Sequence, residues 1–340
     1  MKSRIPVYDY IRCIAVILAV AVHVIGADLA PSVELQGTAL YENLNFIRWW
    51  CLNCNMIFIM LSGALLLPYK DETVGHFYGK RLTKVAIPLI VYYLFYYFFF
   101  TGIGQAQTTD FKGVIINILT ANTRGVNANH FWVMYTTLAL YIVFIFLRKM
   151  LKDYPYELLT KLVIAGIGIS TVGTFVPLNV DLSWTYLGWI FVAITGLWIT
   201  QDESRKYDNL LIVLGIVASV LMWIAYRFSA HINIPLSNLS PLRFLSVMGI
   251  FALCLKFKDK LREFYLIKLI SKYSYGMMLV HFWVISFLLR RICTVSSVMY
   301  KGLGCIVSMV VTLAISFVAA FIIDNTIIAI LYKIVYRKRG

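Results

Sequence analysis

Residues 8–27 read YDYIRCIAVILAVAVHVIGA. Beyond Arg12, His23 is the one side chain in this stretch with proton chemistry near neutral pH. A helix needs about 20 mostly apolar residues to cross a bilayer, and this run supplies them. Lys2 and Arg4 stand ahead of it, as in a secretory leader. The apolar run is long, however, no small-x-small cleavage site ends it, and similar runs follow, so it reads as the first helix of the mature protein.

Further runs of the same kind fall at 46–68, 85–103, 130–148, 161–177, 184–200, 209–227, 241–257, 273–290 and 302–323. Of the 340 residues, 61% are hydrophobic and 14% charged, against roughly 25% charged in an ordinary soluble domain. One aqueous core would not hide so much apolar surface, whereas a bilayer solvates it directly. The expectation is an all-α, polytopic membrane bundle of about ten transmembrane helices. No internal repeat or low-complexity segment interrupts it, and no connecting segment is long enough for a soluble domain. Residues 1–340 therefore read as a single integral membrane domain.

The net charge of +15 would suggest nucleic acid in a soluble protein. Here its distribution argues otherwise. Of the 31 Lys and Arg, 23 fall on the side of the two termini and 8 on the other. Positive charge gathers on the cytoplasmic side of membrane proteins, so both termini are expected in the cytoplasm. The basic tail from Tyr332 to Gly340 should rest on anionic lipid. Six cysteines are present. Cys51 and Cys54 form a C-x-x-C without a second pair at zinc-like spacing; five cysteines lie in or beside apolar runs and read as small apolar helix residues, Cys293 falls in a short loop, and no metal site is expected.

Ionisable groups inside a bilayer are expensive, and each is a functional hypothesis. In the first run Asp9 precedes Arg12 by three residues, a spacing at which the two can pair. His23 follows Arg12 by eleven residues. At 3.6 residues per turn that is about three turns, so Arg12 and His23 share a face, about 16 Å apart along the axis. A snorkelling Arg and an isolated buried His would explain this helix equally well, as would the lining of a transport path.

Four other stretches stand out. Phe58-Ile59-Met60-Leu61-Ser62-Gly63 ends in small residues that permit close helix contact. A basic cluster, Lys80-Arg81-Leu82-Thr83-Lys84, lies in the loop before Pro88 and is suited to phosphates as well as to topology. Asn129 to Tyr135 opens the fourth run, where an aromatic belt explains Trp132 and Tyr135 but not His130. Ser274-Tyr275-Gly276 precedes His281, near mid-membrane. His76 and His231 lie in loops and are given no role.

Taken together these motifs resemble the membrane-bound acyltransferase 3 family. Its hallmark Arg and His, ten residues intervening, are similar to Arg12 and His23, with Asp9 at the start. The family's small-residue, basic, aromatic and Ser-Tyr-Gly motifs resemble Phe58–Gly63, Lys80–Pro88, Trp132–Tyr135 and Ser274–His281. The chain departs from the pattern at Val133-Met134, at Lys84 and at Asp324-Asn325-Thr326. It most resembles the stand-alone branch that O-acetylates surface polysaccharides or their lipid-linked precursors.

The resemblance implies an O-acetyltransferase of the bacterial inner membrane. Acetyl-CoA would be the donor substrate, with no bound cofactor, and a glycan or lipid-linked saccharide the acceptor. Arg12, Lys80, Arg81 and Lys84 would hold the CoA phosphates. His23 would be the base, or carry the acyl group. His130, Trp132, Tyr135 and His281 would line the acceptor side or a channel, His281 alternatively orienting His23, and Asp9, Ser62, Ser274 and Tyr275 would support them. Membrane lipid is an expected partner and nucleic acid is not. The oligomeric state stays open, a homo-oligomer included. A transporter or flippase for a lipid-linked saccharide is the alternative, and a non-catalytic scaffold a third.

Overall fold

The computed structural model describes residues 5–29, 35–99, 111–123, 126, 128–175, 186–228, 238–289 and 301–337. Arg124, His231, Arg290, Arg291, Cys293 and the chain ends lie outside the described residues. Within them every regular element is a helix. In chain order these are α1 (Pro6–Leu29), α2 (Ala39–Cys51), α3 (Asn53–Leu66), α4 (Val74–Phe99), α5 (Phe111–Leu119), α6 (Trp132–Met150), α7 (Tyr156–Phe175) and α8 (Tyr186–Ile199). There follow α9 (Asp208–Arg227), α10 (Pro241–Lys256), α11 (Tyr265–Val284), α12 (Lys301–Ile323) and α13 (Ala329–Arg337), the last joined to α12 by a π-helical turn at Asp324–Ile328.

Each of the ten apolar runs is met by helix. Among the described residues, seven helical stretches are long and apolar enough to cross a membrane. The helices of the other three runs, α8, α10 and α11, are shorter or carry more polar side chains. Lipid tails are as apolar as leucine, so helices in a bilayer associate through close packing more than through the hydrophobic effect. Small residues provide that packing. A Cβ at Gly63 would lie 1.9 Å from the Ala193 carbonyl oxygen, and one at Gly196 1.8 Å from that of Met60. Helices α3 and α8 thus meet backbone to backbone. Gly215 and Gly249 bring α9 and α10 together in the same way.

Three expectations change. The second run, expected as one helix over 46–68, begins at Ala39 and breaks at Leu52. Arg243 reaches the break: its Nη1 donates to the Trp49 carbonyl at 3.0 Å and to Asn53 Oδ1 at 3.2 Å. A side chain bonded into the backbone ladder is a recognised cause of such breaks. Secondly, Arg243 and Arg148, counted as connecting-segment charges, are both buried at 1% exposure. Arg148 is held by Glu72 at 2.5 Å and by the Pro68 carbonyl.

Thirdly, α4 begins at Val74, so Lys80, Arg81 and Lys84 stand on helix and not in a loop. Thr73 starts that helix: its Oγ1 accepts from the His76 N–H at 3.2 Å, and its carbonyl from the Phe77 N–H at 2.9 Å. Polarity suggested a loop, yet Lys and Arg are good helix formers.

Candidate active site

Helices α1 and α11 meet at two levels. At the first, near their N-terminal ends, Ser271 Oγ donates to Asp9 Oδ1 at 2.6 Å and accepts from Arg12 Nη1 at 2.8 Å. Asp9 and Arg12 are themselves 3.6 Å apart, with side-chain exposures of 8% and 28%. The carboxylate and the serine hold the guanidinium while leaving part of it open. Ser274 Oγ bonds back to the Ser271 carbonyl at 2.9 Å.

At the second level, His23 and His281 stand eleven and ten residues further along their helices. At 1.5 Å per residue the two levels are about 15–16 Å apart. The His23 and His281 ring centres are 5.0 Å apart. His130, in a 3₁₀ turn at Asn129–Phe131 ahead of α6, completes a triangle, 5.8 Å from His23 and 5.1 Å from His281. The three rings border a cavity of about 190 Å³, further lined by Asn55, Asn129 and Trp132.

Backbone carbonyls set the tautomers of two of these rings, because a carbonyl only accepts. His281 Nδ1–H donates to the Met278 carbonyl at 2.8 Å, and His130 Nε2–H to that of Leu279 at 3.2 Å. In the neutral rings His281 Nε2 and His130 Nδ1 are therefore acceptors. No group of three His, Cys, Asp or Glu among the described residues has the arrangement of a metal site.

The remaining predicted residues divide. Trp132 lines the cavity and packs on Trp189, ring centres 5.8 Å apart. Tyr135 does not line it: its hydroxyl donates to the Ile118 carbonyl at 3.1 Å, tying α5 to α6. Ser62 pairs with the Tyr141 hydroxyl at 3.4 Å. Lys80 and Lys84 are exposed on α4. Arg81 is half-buried, and its Nε is enclosed without a hydrogen-bond partner among the described residues.

Tyr275 has a different part. Pro88 has no N–H, so the Lys84 carbonyl lacks its usual partner one turn on. The Tyr332 hydroxyl donates to that carbonyl at 3.3 Å, and the Tyr275 hydroxyl to the adjacent Val85 carbonyl at 3.0 Å. The Tyr332 side chain thus satisfies the carbonyl that the proline frees, the condition on which proline is tolerated in a membrane helix, while Tyr275 ties α11 to the same turn. Gly276 leaves room beside this contact for Tyr92 and Asp324, which are hydrogen-bonded at 3.2 Å.

A family model described as an acyltransferase domain, that of the acyltransferase 3 family, matches residues 5–324. The chain belongs to this family. No curated protein and no solved structure matches it. The match makes the chain a membrane acyltransferase, and it spans both levels of the α1–α11 pair. Three residues of this acyltransferase escaped sequence reasoning: Ser271, Asn55 and Tyr141. Only Ser271 carried a signal, being one helical turn before the Ser274 that opens the Ser-Tyr-Gly motif.

Proposed function

We propose that this acyltransferase moves an acetyl group from cytoplasmic acetyl-CoA to a hydroxyl of a cell-surface polysaccharide or its lipid-linked precursor, in the bacterial inner membrane. The observation that carries the reading is the two-level pairing of α1 with α11, a partly open guanidinium at one level and a histidine-walled cavity at the other. Arg12 and Arg81, with Lys80 and Lys84 beside them, take the phosphates of the donor. Arginine suits the task, being permanently charged with a planar fork of donors. The thioester end reaches the cavity, and His23 acts on the acceptor there.

His23 takes the hydroxyl proton as the oxygen bonds to the thioester carbon. The carbon–sulfur bond then breaks, and His23 returns the proton to the departing thiolate. General-base assistance of this kind contributes about 10²–10⁴ in rate. Trp132 offers a ring face to the sugar, and His130 and Asn129 offer polar contacts. No resident cofactor enters, since acetyl-CoA is a substrate.

The test is to express His23→Ala and Arg12→Ala separately and analyse the surface glycan by mass spectrometry. Both variants should lose the acetyl increment from the glycan. Normal acetylation in both would refute the proposal.

A further inference from the structure

His281 Nε2 is buried and has no hydrogen-bond partner among the described residues. Its other nitrogen is committed to the Met278 carbonyl, so in the neutral ring Nε2 is a lone pair with nothing to accept. Buried polar atoms are rarely left so, and each one calls for an explanation. The nearest ring able to supply an N–H is His23, centre to centre 5.0 Å. The bond is not formed as the two tilted rings stand, but facing imidazole edges joined at about 2.9 Å also have their centres roughly 5 Å apart, so a turn of the rings is enough to make it. His130 stands almost as near His281, at 5.1 Å, but its N–H is already given to the Leu279 carbonyl and its other nitrogen can only accept.

We propose that His281 is a positioning residue: its Nε2 accepts a hydrogen bond from one N–H of His23, so that the second His23 nitrogen faces the cavity as a lone pair. This rests on the acyl-transfer reading above. Among the described residues no backbone carbonyl sets the His23 tautomer, and free imidazole populates both. The chain Met278 carbonyl, His281, His23 removes that freedom. It runs from the carbonyl through two rings to the cavity, each N–H pointing the same way. When His23 takes up the acceptor's proton, the N–H facing His281 becomes a stronger donor, and the bond stabilises the imidazolium at that moment. His130, with Nε2–H given to Leu279, keeps its own lone pair for a hydroxyl in the cavity.

The experiment compares His281→Phe and His281→Gln with the unaltered chain, in membranes carrying the native glycan, using radiolabelled acetyl-CoA. Phenylalanine keeps a ring but no acceptor, whereas the glutamine amide oxygen is an acceptor. His281→Leu substitutes for Phe should the latter not fold, as judged by gel filtration in detergent. The apolar variant should lower kcat about 10- to 100-fold, by analogy with the loss when the partner that orients a metal-bound histidine is removed. KM for acetyl-CoA should stay within about threefold, and Gln should recover most of the lost kcat. Equal losses in the folded Gln and apolar variants, or an effect confined to KM, would overturn the inference. So would full activity in the apolar variant while His23→Ala is dead. Absence of transfer by the unaltered chain would instead overturn the functional reading itself, and the inference with it.

Discussion

Removing the Ser271 hydroxyl is the most direct probe of the first α1–α11 level. That oxygen bridges two charged groups, donating to Asp9 at 2.6 Å and accepting from Arg12 at 2.8 Å. Hydrogen bonds to charged groups contribute about 1.5–3 kcal/mol each. In Ser271→Ala the direct Asp9–Arg12 pair, at 3.6 Å, survives and retains part of the hold. The net loss is then about one such bond at the low end, ~1.5 kcal/mol. Each 1.4 kcal/mol is about tenfold in an equilibrium constant. Arg12 stands about 16 Å from the cavity where bonds change, so the loss falls on donor binding. KM for acetyl-CoA should rise about tenfold with kcat within twofold, the pattern of lost uniform binding. The assay follows thiol release from acetyl-CoA in membranes holding the acceptor. An unchanged KM, or a fall in kcat alone, would refute the assignment of Arg12 to the donor.

Two further outcomes follow from the fold. Gly196→Ala drives a methyl group into the Met60 carbonyl, 1.8 Å from the new Cβ, so α3 and α8 must separate; the variant should lose about 1–3 kcal/mol of stability, the usual range for overpacking, and melt earlier in detergent. Glu72 lies outside the membrane-spanning helices. Burial raises its pKa, but hydrogen bonds from Arg148 and His76 outweigh that and hold it below the ordinary 4.5. A depressed folded-state pKa stabilises the fold above the unfolded value and is lost as pH falls through the folded one. The stability gap between the unaltered chain and Glu72→Gln should therefore be full above pH 4.5 and close below it, as read by melting against pH.

Much of this was legible in one dimension because a bilayer imposes a simple rule. Every backbone group inside it must be satisfied within the helix, so a long apolar run is already a structural statement. The ten runs are helical for that reason. The pairing of Asp9 with Arg12 was legible too, being local to one helix. Helix ends were less so: α4 extends eleven residues earlier than its apolar run, because amphipathic basic helix and basic loop look alike in composition.

The amino-acid order by itself determined a helical membrane chain of the acyltransferase 3 type, with Arg12 and His23 on one face of its first helix. Periodicity along one helix suffices for the shared face, while the family rests on the motifs and on the family model that matches residues 5–324. Tertiary structure alone decided what the two residues meet. Ser271 joins Asp9 in holding Arg12, and His130 and His281 gather around His23; Ser271, His130 and His281 come from positions more than a hundred residues away. It also gave Tyr275 its place beside Pro88 and moved Tyr135 off the cavity. These contacts join distant helices whose approach is set by where the small residues fall, and no local pattern encodes which helix will stand beside which.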